Sequence, residues 1–208
     1  MSMTSSELDN LLEAVLKDYG QVMRRHIFGE VMENDGASLR DMARRLRAVM
    51  DHTEQGAKFD KAHGILDAIG VILRKDFADQ CVLEYSNGQY LRTCPVDLAH
   101  IRAGLSPGFI IRSAECSICQ KDPRFCPHIR GEVYNGETCI RIIKEADLLE
   151  VSLVDIPAQP EARIQSVGVP TASLGLTSEH LKKPPNITCD KCIKGCRGLS
   201  YPARNERQ

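Results

Sequence analysis

The chain has 208 residues, of which 42% are hydrophobic and only 5% aromatic, and it contains no tryptophan. This length predicts one domain, or one domain with an appendage, and the apolar fraction suffices for a sizeable core. The formal net charge of −1 argues against a globally basic surface for nucleic acid or an anionic membrane. The sequence lacks both a transmembrane-length apolar run and the basic start and apolar core of a signal peptide. We therefore expect the nine cysteines to be reduced thiols or metal ligands in a cytoplasm.

The first fifty residues are predicted to form a helical hairpin. Apolar residues between positions 6 and 28 recur at three- and four-residue spacings, and Ser6 can cap this helix. A turn at 34–36 precedes a second helix at 39–51, with Ser38 as its cap. The other face of the second helix carries four arginines, which we interpret as a solvated surface before an acidic or phosphate partner: Arg40, Arg44, Arg45 and Arg47.

From about residue 69 the sequence becomes typical of β-structure. A short helix is expected at 95–103, and residues 157–186, rich in Pro, Ser and Thr, predict an extended tail. Five short apolar runs are predicted strands: 69–73, 81–85, 105–112, 139–143 and 148–154. The predicted fold class is therefore α+β, with the helical hairpin followed by a mostly antiparallel β core.

A compact metal-binding motif lies in the middle of the chain. Cys116 and Cys119 form a Cys-x-x-Cys pair, and Cys126 and His128 follow within thirteen positions. Zinc prefers four soft or borderline ligands in a tetrahedron, and such a pair places two sulfurs on one side of it. Four protein ligands leave no position for water, so the motif predicts structural Zn²⁺ and not a catalytic ion.

A second cysteine cluster lies near the C-terminus. Cys189, Cys192 and Cys196 supply three thiols, which predict either a second Zn²⁺ or a reduced tail. A complete tetrahedron needs a fourth ligand from another chain or from one of four residues in this sequence: His180, Cys81, Cys94 or Cys139.

Three stretches of the β region carry a resemblance to a known family. Gly104-Leu-Ser106-Pro-Gly-Phe109 resembles the serine strand of the tailed-phage prohead (capsid maturation) proteases. Leu148-Leu-Glu-Val-Ser-Leu-Val-Asp-Ile-Pro-Ala-Gln-Pro-Glu-Ala-Arg-Ile164 is similar to the late strand of that family and the turn that follows it. His63-Gly-Ile-Leu-Asp-Ala-Ile-Gly70 resembles its histidine segment, in which Ile-Gly enters a strand. The resemblance covers residues 60–165 and implies the prohead protease/assemblin fold.

The resemblance implies a serine endopeptidase. A serine nucleophile needs a base within hydrogen-bond reach and a third group that orients the base. Ser106 is the candidate nucleophile, His63 the candidate base and Glu150 the candidate third member. His52, which follows Asp51 at the end of a predicted helix, is a competing base.

The implied function is cleavage of scaffold and coat proteins within the prohead, in the host cytoplasm. Phage capsid or scaffold proteins are therefore the expected partners, with self-association as a further expectation and no role for a membrane. Pro107 removes one backbone donor beside the candidate nucleophile, and the cysteine loop interrupts the strands. Both departures are compatible with the alternative, a catalytically inactive zinc-binding phage structural or interaction protein on the same fold.

The predicted organisation has three parts. A helical region spans 1–55, a prohead-protease-like β core spans 60–165 with its zinc loop at 114–131, and an extended tail with the cysteine cluster spans 166–208. A nucleic-acid-binding finger is not expected, because the loop contributes only three basic residues and a single aromatic ring: Lys121, Arg124, Arg130 and Phe125.

Overall fold

The computed structural model describes residues 3–53, 55–177 and 182–189. These residues form four α-helices and small antiparallel sheets, which confirms the predicted α+β class. They divide into two compact units. The helical unit comprises the described parts of Met1–Gly104 and Asp155–Gln208, and the ribbon unit comprises Leu105–Val154. None of the described helices is long and apolar enough to cross a membrane.

The predicted helical hairpin is present as α1 (Ser5–Ile27) and α2 (Asp35–Thr53). Thr4, and not Ser6, is the N-cap of α1, because its side chain and that of Glu7 form a reciprocal capping box. Helix α2 begins earlier than predicted and includes part of the expected turn. The carboxylate of Asp35 in its first turn accepts a hydrogen bond from the Met32 amide, at 3.1 Å.

A third helix, α3 (Ala57–Asp76), replaces the strand predicted at 69–73. The prediction was wrong because the apolar run Ile69–Leu73 is part of a longer helical pattern. The buried residues of α3 recur at three- and four-residue spacings: Phe59, Ala62, Leu66, Ile69 and Leu73. The segment containing His63 is therefore helical throughout and does not lead into a strand.

Helix α4 (Pro95–Ile101) confirms the short helix predicted at 95–103 and packs against α3. Gly70 permits the close approach, because a Cβ atom at this position would lie 2.9 Å from a methyl carbon of Val96. The glycine of the Ile-Gly motif therefore has a packing role between two helices.

The helical unit also contains a small sheet, formed by a hairpin between α3 and α4 and by one later strand. Strands β1 (Glu84–Ser86) and β2 (Gln89–Arg92) form a hairpin whose turn, Asn87–Gly88, has positive φ at both residues. Strand β7 (Val167–Val169) pairs antiparallel with β2. Part of the segment predicted to be an extended tail is therefore a sheet strand.

The ribbon unit is built on two long strands, β3 (Gly104–Cys116) and β6 (Arg141–Val154). The strands predicted at 139–143 and 148–154 are thus largely one strand. Two ion pairs cross the ribbon in antiparallel register, Arg112 with Asp147 at 2.6 Å and Lys144 with Glu115 at 2.9 Å. The loop that joins β3 to β6 contains a short hairpin of two strands, β4 (Val133–Tyr134) and β5 (Glu137–Thr138).

Apolar side chains along the ribbon are exposed within the described structure. Phe109, for example, is 51% exposed and Leu153 is 67% exposed. Two-stranded ribbons are marginally stable in water unless further strands, helices or partners pack against them. Other large apolar side chains of the ribbon are exposed in the same way: Ile110, Ile111, Leu148, Leu149 and Val151.

Candidate functional site

The cysteine loop brings its four predicted ligands together. The ligand atoms of Cys116, Cys119, Cys126 and His128 all lie within 4.8 Å of one another, so this cluster could hold a metal ion. Cys116 ends β3 and is 1% exposed. The turn after it closes through a 2.8 Å hydrogen bond from the Gln120 amide to the Cys116 carbonyl, with Gln120 at a positive φ of 58°.

The first cysteine of the loop is prepared to be a thiolate. Hydrogen bonding from the backbone amide of Cys119 is the main cause that lowers the pKa of Cys116 to about 6, and the amide of Ile118 adds to it. Burial raises the pKa of Cys126 instead. Because metal ions bind the thiolate form, the lowered pKa of Cys116 prepares this residue to bind a metal at neutral pH.

A fifth candidate ligand, Cys139, was not predicted for this cluster. The Sγ atom of Cys116 lies 3.7 Å from the Sγ of Cys139 and also 3.7 Å from Nδ1 of His128. Sulfurs bound to one tetrahedral zinc at about 2.3 Å lie about 3.8 Å apart, so either residue fits as a neighbour of Cys116. Sequence reasoning treated Cys139 as the first residue of a strand and as one possible fourth ligand of the C-terminal cluster. The 2.8 Å hydrogen bond from its amide to the Glu132 carbonyl, which folds it back to the loop, could not be read from spacing.

The cluster lies far from the candidate nucleophile. Ser106 and Cys116 are near opposite ends of β3, which corresponds to about 33 Å at about 3.3 Å per residue. A metal held by the loop therefore cannot act on a substrate bond at Ser106.

Ser106 and Glu150 share one face of the ribbon. A Cβ atom on Gly108 would lie 3.1 Å from Cγ of Glu150, so this side chain crosses from β6 over β3. Alternate residues of a strand point to the same face, and Ser106 is two positions before Gly108. The half-buried Ser106 and the exposed Glu150 therefore lie on the same face of the ribbon.

The structure places His63 on α3 beside two residues not predicted as its partners. Its Nε2 lies 3.1 Å from Nε2 of His100 and 3.7 Å from a carboxylate oxygen of Asp67. Burial is the main cause that lowers the pKa of His63, against an opposing effect of Asp67. The i, i+4 spacing of His63 and Asp67 was visible in the sequence, but the contribution of α4 depended on the packing at Gly70. His63 belongs to the helical unit and Ser106 to the ribbon unit, so their pairing stays a prediction.

The competing base, His52, is held by two contacts in the helical unit. Its Nδ1 lies 2.8 Å from the Ala48 carbonyl, and its Nε2 lies 3.3 Å from a carboxylate oxygen of Glu161. His52 thus has a carboxylate beside it, from a residue that sequence reasoning had not singled out. Both of its ring nitrogens are engaged by these contacts, so neither presents an open lone pair for a serine proton.

The predicted C-terminal metal cluster lies largely outside the described residues, since Cys192, Cys196 and His180 are not among them. Cys189 is described, and its amide hydrogen-bonds to the Cys81 carbonyl at 2.5 Å. Cys81, Cys94 and Cys189 line one cavity of about 140 Å³. Two of the four proposed fourth ligands are therefore near the first member of the cluster.

Comparison with known proteins finds one family whose model matches part of the chain. The family model for the caudovirus prohead serine protease matches residues 104–174, about a third of the chain. Over this segment the chain resembles the phage prohead proteases, which confirms the resemblance found in the sequence motifs. The match includes Ser106 and Glu150 but not His63. No curated protein and no solved structure matches the chain.

Proposed function

We propose that this protein is a serine endopeptidase of the prohead type, which cleaves coat or scaffold proteins during phage capsid assembly. The observation that carries the proposal is the family match over residues 104–174. This segment contains the Gly-Leu-Ser-Pro-Gly-Phe motif and the late strand, and the face shared by Ser106 and Glu150 lies within it. The family also gives the proposed location, inside the prohead in the host cytoplasm.

In the proposed mechanism, the Ser106 hydroxyl attacks the scissile carbonyl. His63 accepts the serine proton and returns it to the leaving amine, and Glu150 is the third member that orients the base. A lowered pKa keeps the His63 imidazole neutral near pH 7, as a general base must be. Pro107 has no amide hydrogen, so the Gly108 amide is the next backbone donor available for the developing oxyanion.

The ribbon suits a protein substrate in extended conformation. Strands β3 and β6 form a two-stranded sheet among the described residues, so β3 has an edge without a strand partner there. An extended peptide can pair with such an edge through main-chain hydrogen bonds, while adjacent apolar surface contacts its side chains. Phage coat or scaffold proteins are the proposed partners, and self-association through the same surface stays a prediction.

We propose Zn²⁺ as the ion of the loop cluster, in a structural role. Three thiolates and one imidazole form a ligand set that zinc uses in structural sites. A second Zn²⁺ at Cys189, Cys192 and Cys196 also stays a prediction.

The second candidate function is a catalytically inactive zinc-binding structural or interaction protein of phage origin. The favouring observation concerns the proposed base. Nε2 of His63 is 3.1 Å from His100, and the matched segment contains no histidine except His128 of the metal loop. In this alternative, the ribbon would bind a partner protein without cleaving it, and the metal-binding loop would stabilise the fold.

Replacement of the serine separates the two functions. The protein and a coat protein of the same phage are co-expressed, and cleavage products of both chains are identified by mass spectrometry. Ser106→Ala should abolish cleavage, because the residual rate without a nucleophile is typically lower by about 10⁴-fold or more. Ser113→Ala, an exposed serine on the same strand, is the matched control and should cleave like wild type. Cleavage unchanged in Ser106→Ala would rule out Ser106 as the nucleophile, and cleavage absent in wild type would favour the inactive alternative.

A further inference from the structure

His63, Asp67 and His100 form a second convergent cluster in the helical unit, unrelated to the cysteine loop. One ligand atom from each residue lies within 4.8 Å of the other two. Both histidine side chains are only 12% exposed, whereas the Asp67 side chain is 30% exposed. The cluster is therefore largely enclosed but remains open to solvent on its carboxylate side.

The hydrogen bonding of His100 decides what can sit inside the cluster. Its Nδ1 lies 2.7 Å from the Val96 carbonyl, which can only accept, so Nδ1 carries the hydrogen. In the neutral imidazole, Nε2 then presents a lone pair. This lone pair faces a carboxylate oxygen of Asp67 at 3.0 Å and Nε2 of His63 at 3.1 Å. Two acceptors at such a distance repel each other unless a proton or a metal cation lies between them.

The distances fit a metal ion. Ligand atoms bound at about 2.0–2.1 Å to one tetrahedral zinc lie about 3.3 Å apart. In the cluster, Nε2 of His100 lies 3.1 Å from Nε2 of His63 and 3.0 Å from one carboxylate oxygen of Asp67. Nε2 of His63 lies 3.7 Å from the other oxygen of the same carboxylate. The bond from His100 Nδ1 to a backbone carbonyl is also the outer contact that commonly orients a metal-binding histidine.

We propose that His63, Asp67 and His100 bind a divalent transition-metal ion, with Zn²⁺ the best match to two imidazoles and one carboxylate. Three protein ligands leave a fourth position for water or another ligand, unlike the closed cysteine cluster. Gly70 maintains the site indirectly, since the close packing of α4 on α3 brings His100 to His63.

The site would also regulate the proposed peptidase, and this consequence alone rests on the proposed function. A metal bound to Nε2 of His63 occupies the lone pair that would accept the proton of Ser106. Metal binding and proteolysis would therefore exclude each other. Binding itself can be measured in Ser106→Ala, so failure of the metal site and failure of the peptidase are distinguishable.

The test uses the full chain carrying Ser106→Ala. The protein is purified with zinc, treated with chelator sufficient to empty the His63 cluster while the cysteine zinc is retained, and then titrated with Co²⁺ at pH 7.5. We expect one additional equivalent, with visible d–d absorption but without the intense near-ultraviolet bands of thiolate ligation. Asp67→Asn, which preserves side-chain size, should weaken this binding by more than tenfold. His26→Gln is the matched control, because His26 lies 3.6 Å from Asp76, another carboxylate of α3. It should bind Co²⁺ like the parent.

A measurement on the parent chain keeps the proposal testable if Asp67→Asn does not fold. Zinc titration followed by ¹H–¹⁵N spectra of the imidazoles should move the Nε2 resonances of His63 and His100 together, at one equivalent. Equal Co²⁺ binding by the parent and a folded Asp67→Asn, or zinc that leaves both imidazoles unchanged, would overturn the proposal. The cluster would then be a proton-bridged pair of histidines beside a carboxylate.

Discussion

Ser106 and Cys116 lie near the two ends of one strand, about 33 Å apart along β3. The candidate nucleophile and the first metal ligand are therefore joined by regular structure but separated chemically. Substitutions at one end should leave the immediate chemistry of the other unchanged. Loss of the metal can affect Ser106 only through the folding of the ribbon, which makes the two roles separable by experiment.

Cys116→Ser should remove one equivalent of zinc and unfold the loop between β3 and β6. Structural zinc contributes on the order of 10 kcal/mol of apparent binding free energy, which is lost with a ligand. Elemental analysis gives the stoichiometry, and hydrogen exchange locates the unfolding. Ser117→Ala is the neighbouring control: it removes only the 3.0 Å hydrogen bond from the Ile140 amide to the Ser117 hydroxyl and should retain the zinc. Full zinc content in Cys116→Ser would contradict the assignment.

Zinc retention should depend on pH in one direction. Backbone hydrogen bonds, chiefly from the Cys119 amide, lower the pKa of Cys116 to about 6, so its thiolate persists at neutral pH. The contribution of the Cys116 thiolate to zinc binding is fully present above the unfolded-state pKa of a thiol, about 8.5. It is lost as the pH falls through the folded-state pKa of about 6. A chromogenic chelator should therefore capture little zinc above pH 7 and increasing amounts below pH 6. Release that grows with rising pH would contradict this account.

Asp35→Asn should destabilise the helical unit by roughly 2–4 kcal/mol, because it leaves Arg25 without its buried partner. Asp35 is 2% exposed and binds Arg25 and the Met32 amide. Burial would raise the pKa of Asp35, but the hydrogen bonds from Arg25 and Met32 outweigh it and lower the pKa. The contribution of the Asp35 carboxylate to the free energy of unfolding is present above about pH 4. It is lost as the pH falls through the lowered pKa of Asp35.

Urea unfolding of wild type and Asp35→Asn at pH 7 and at pH 3 checks both the size and the pH dependence. The difference between the two proteins should narrow at pH 3. Asp41→Asn is the surface control, since its side chain is 59% exposed in an ion pair with Arg45. It should change the free energy of unfolding by less than about 1 kcal/mol. A similar loss in both variants would show that burial of Asp35 is unimportant.

The sequence predicted the elements whose pattern is local. Helices α1 and α2 followed from apolar spacing, and α4 from Pro95 at its start. The convergence of Cys116, Cys119, Cys126 and His128 was predictable, because Cys-x-x-Cys and Cys-x-His have the spacing of a zinc site within one loop. The long strands were predicted too, although the residues of β6 were assigned to two separate strands.

Tertiary packing decided the elements that were missed. Residues 69–73 form an apolar run that a strand or a buried helix explains equally well, and packing against α2 and α4 selects the helix. Cys139 and His100 approach Cys116 and His63 only after the chain has folded. Neither pair has a characteristic spacing in sequence, so neither contact could be predicted.

Labelling with a fluorophosphonate, followed by peptide mapping, tests the central claim most directly, because such probes react with activated serine nucleophiles. The full chain is treated with chelator sufficient to empty the His63 cluster while the cysteine zinc is retained. We predict one covalent adduct on Ser106, lost in His63→Ala and unchanged in Ser113→Ala. A folded wild-type protein that carries no adduct on Ser106 would contradict the account.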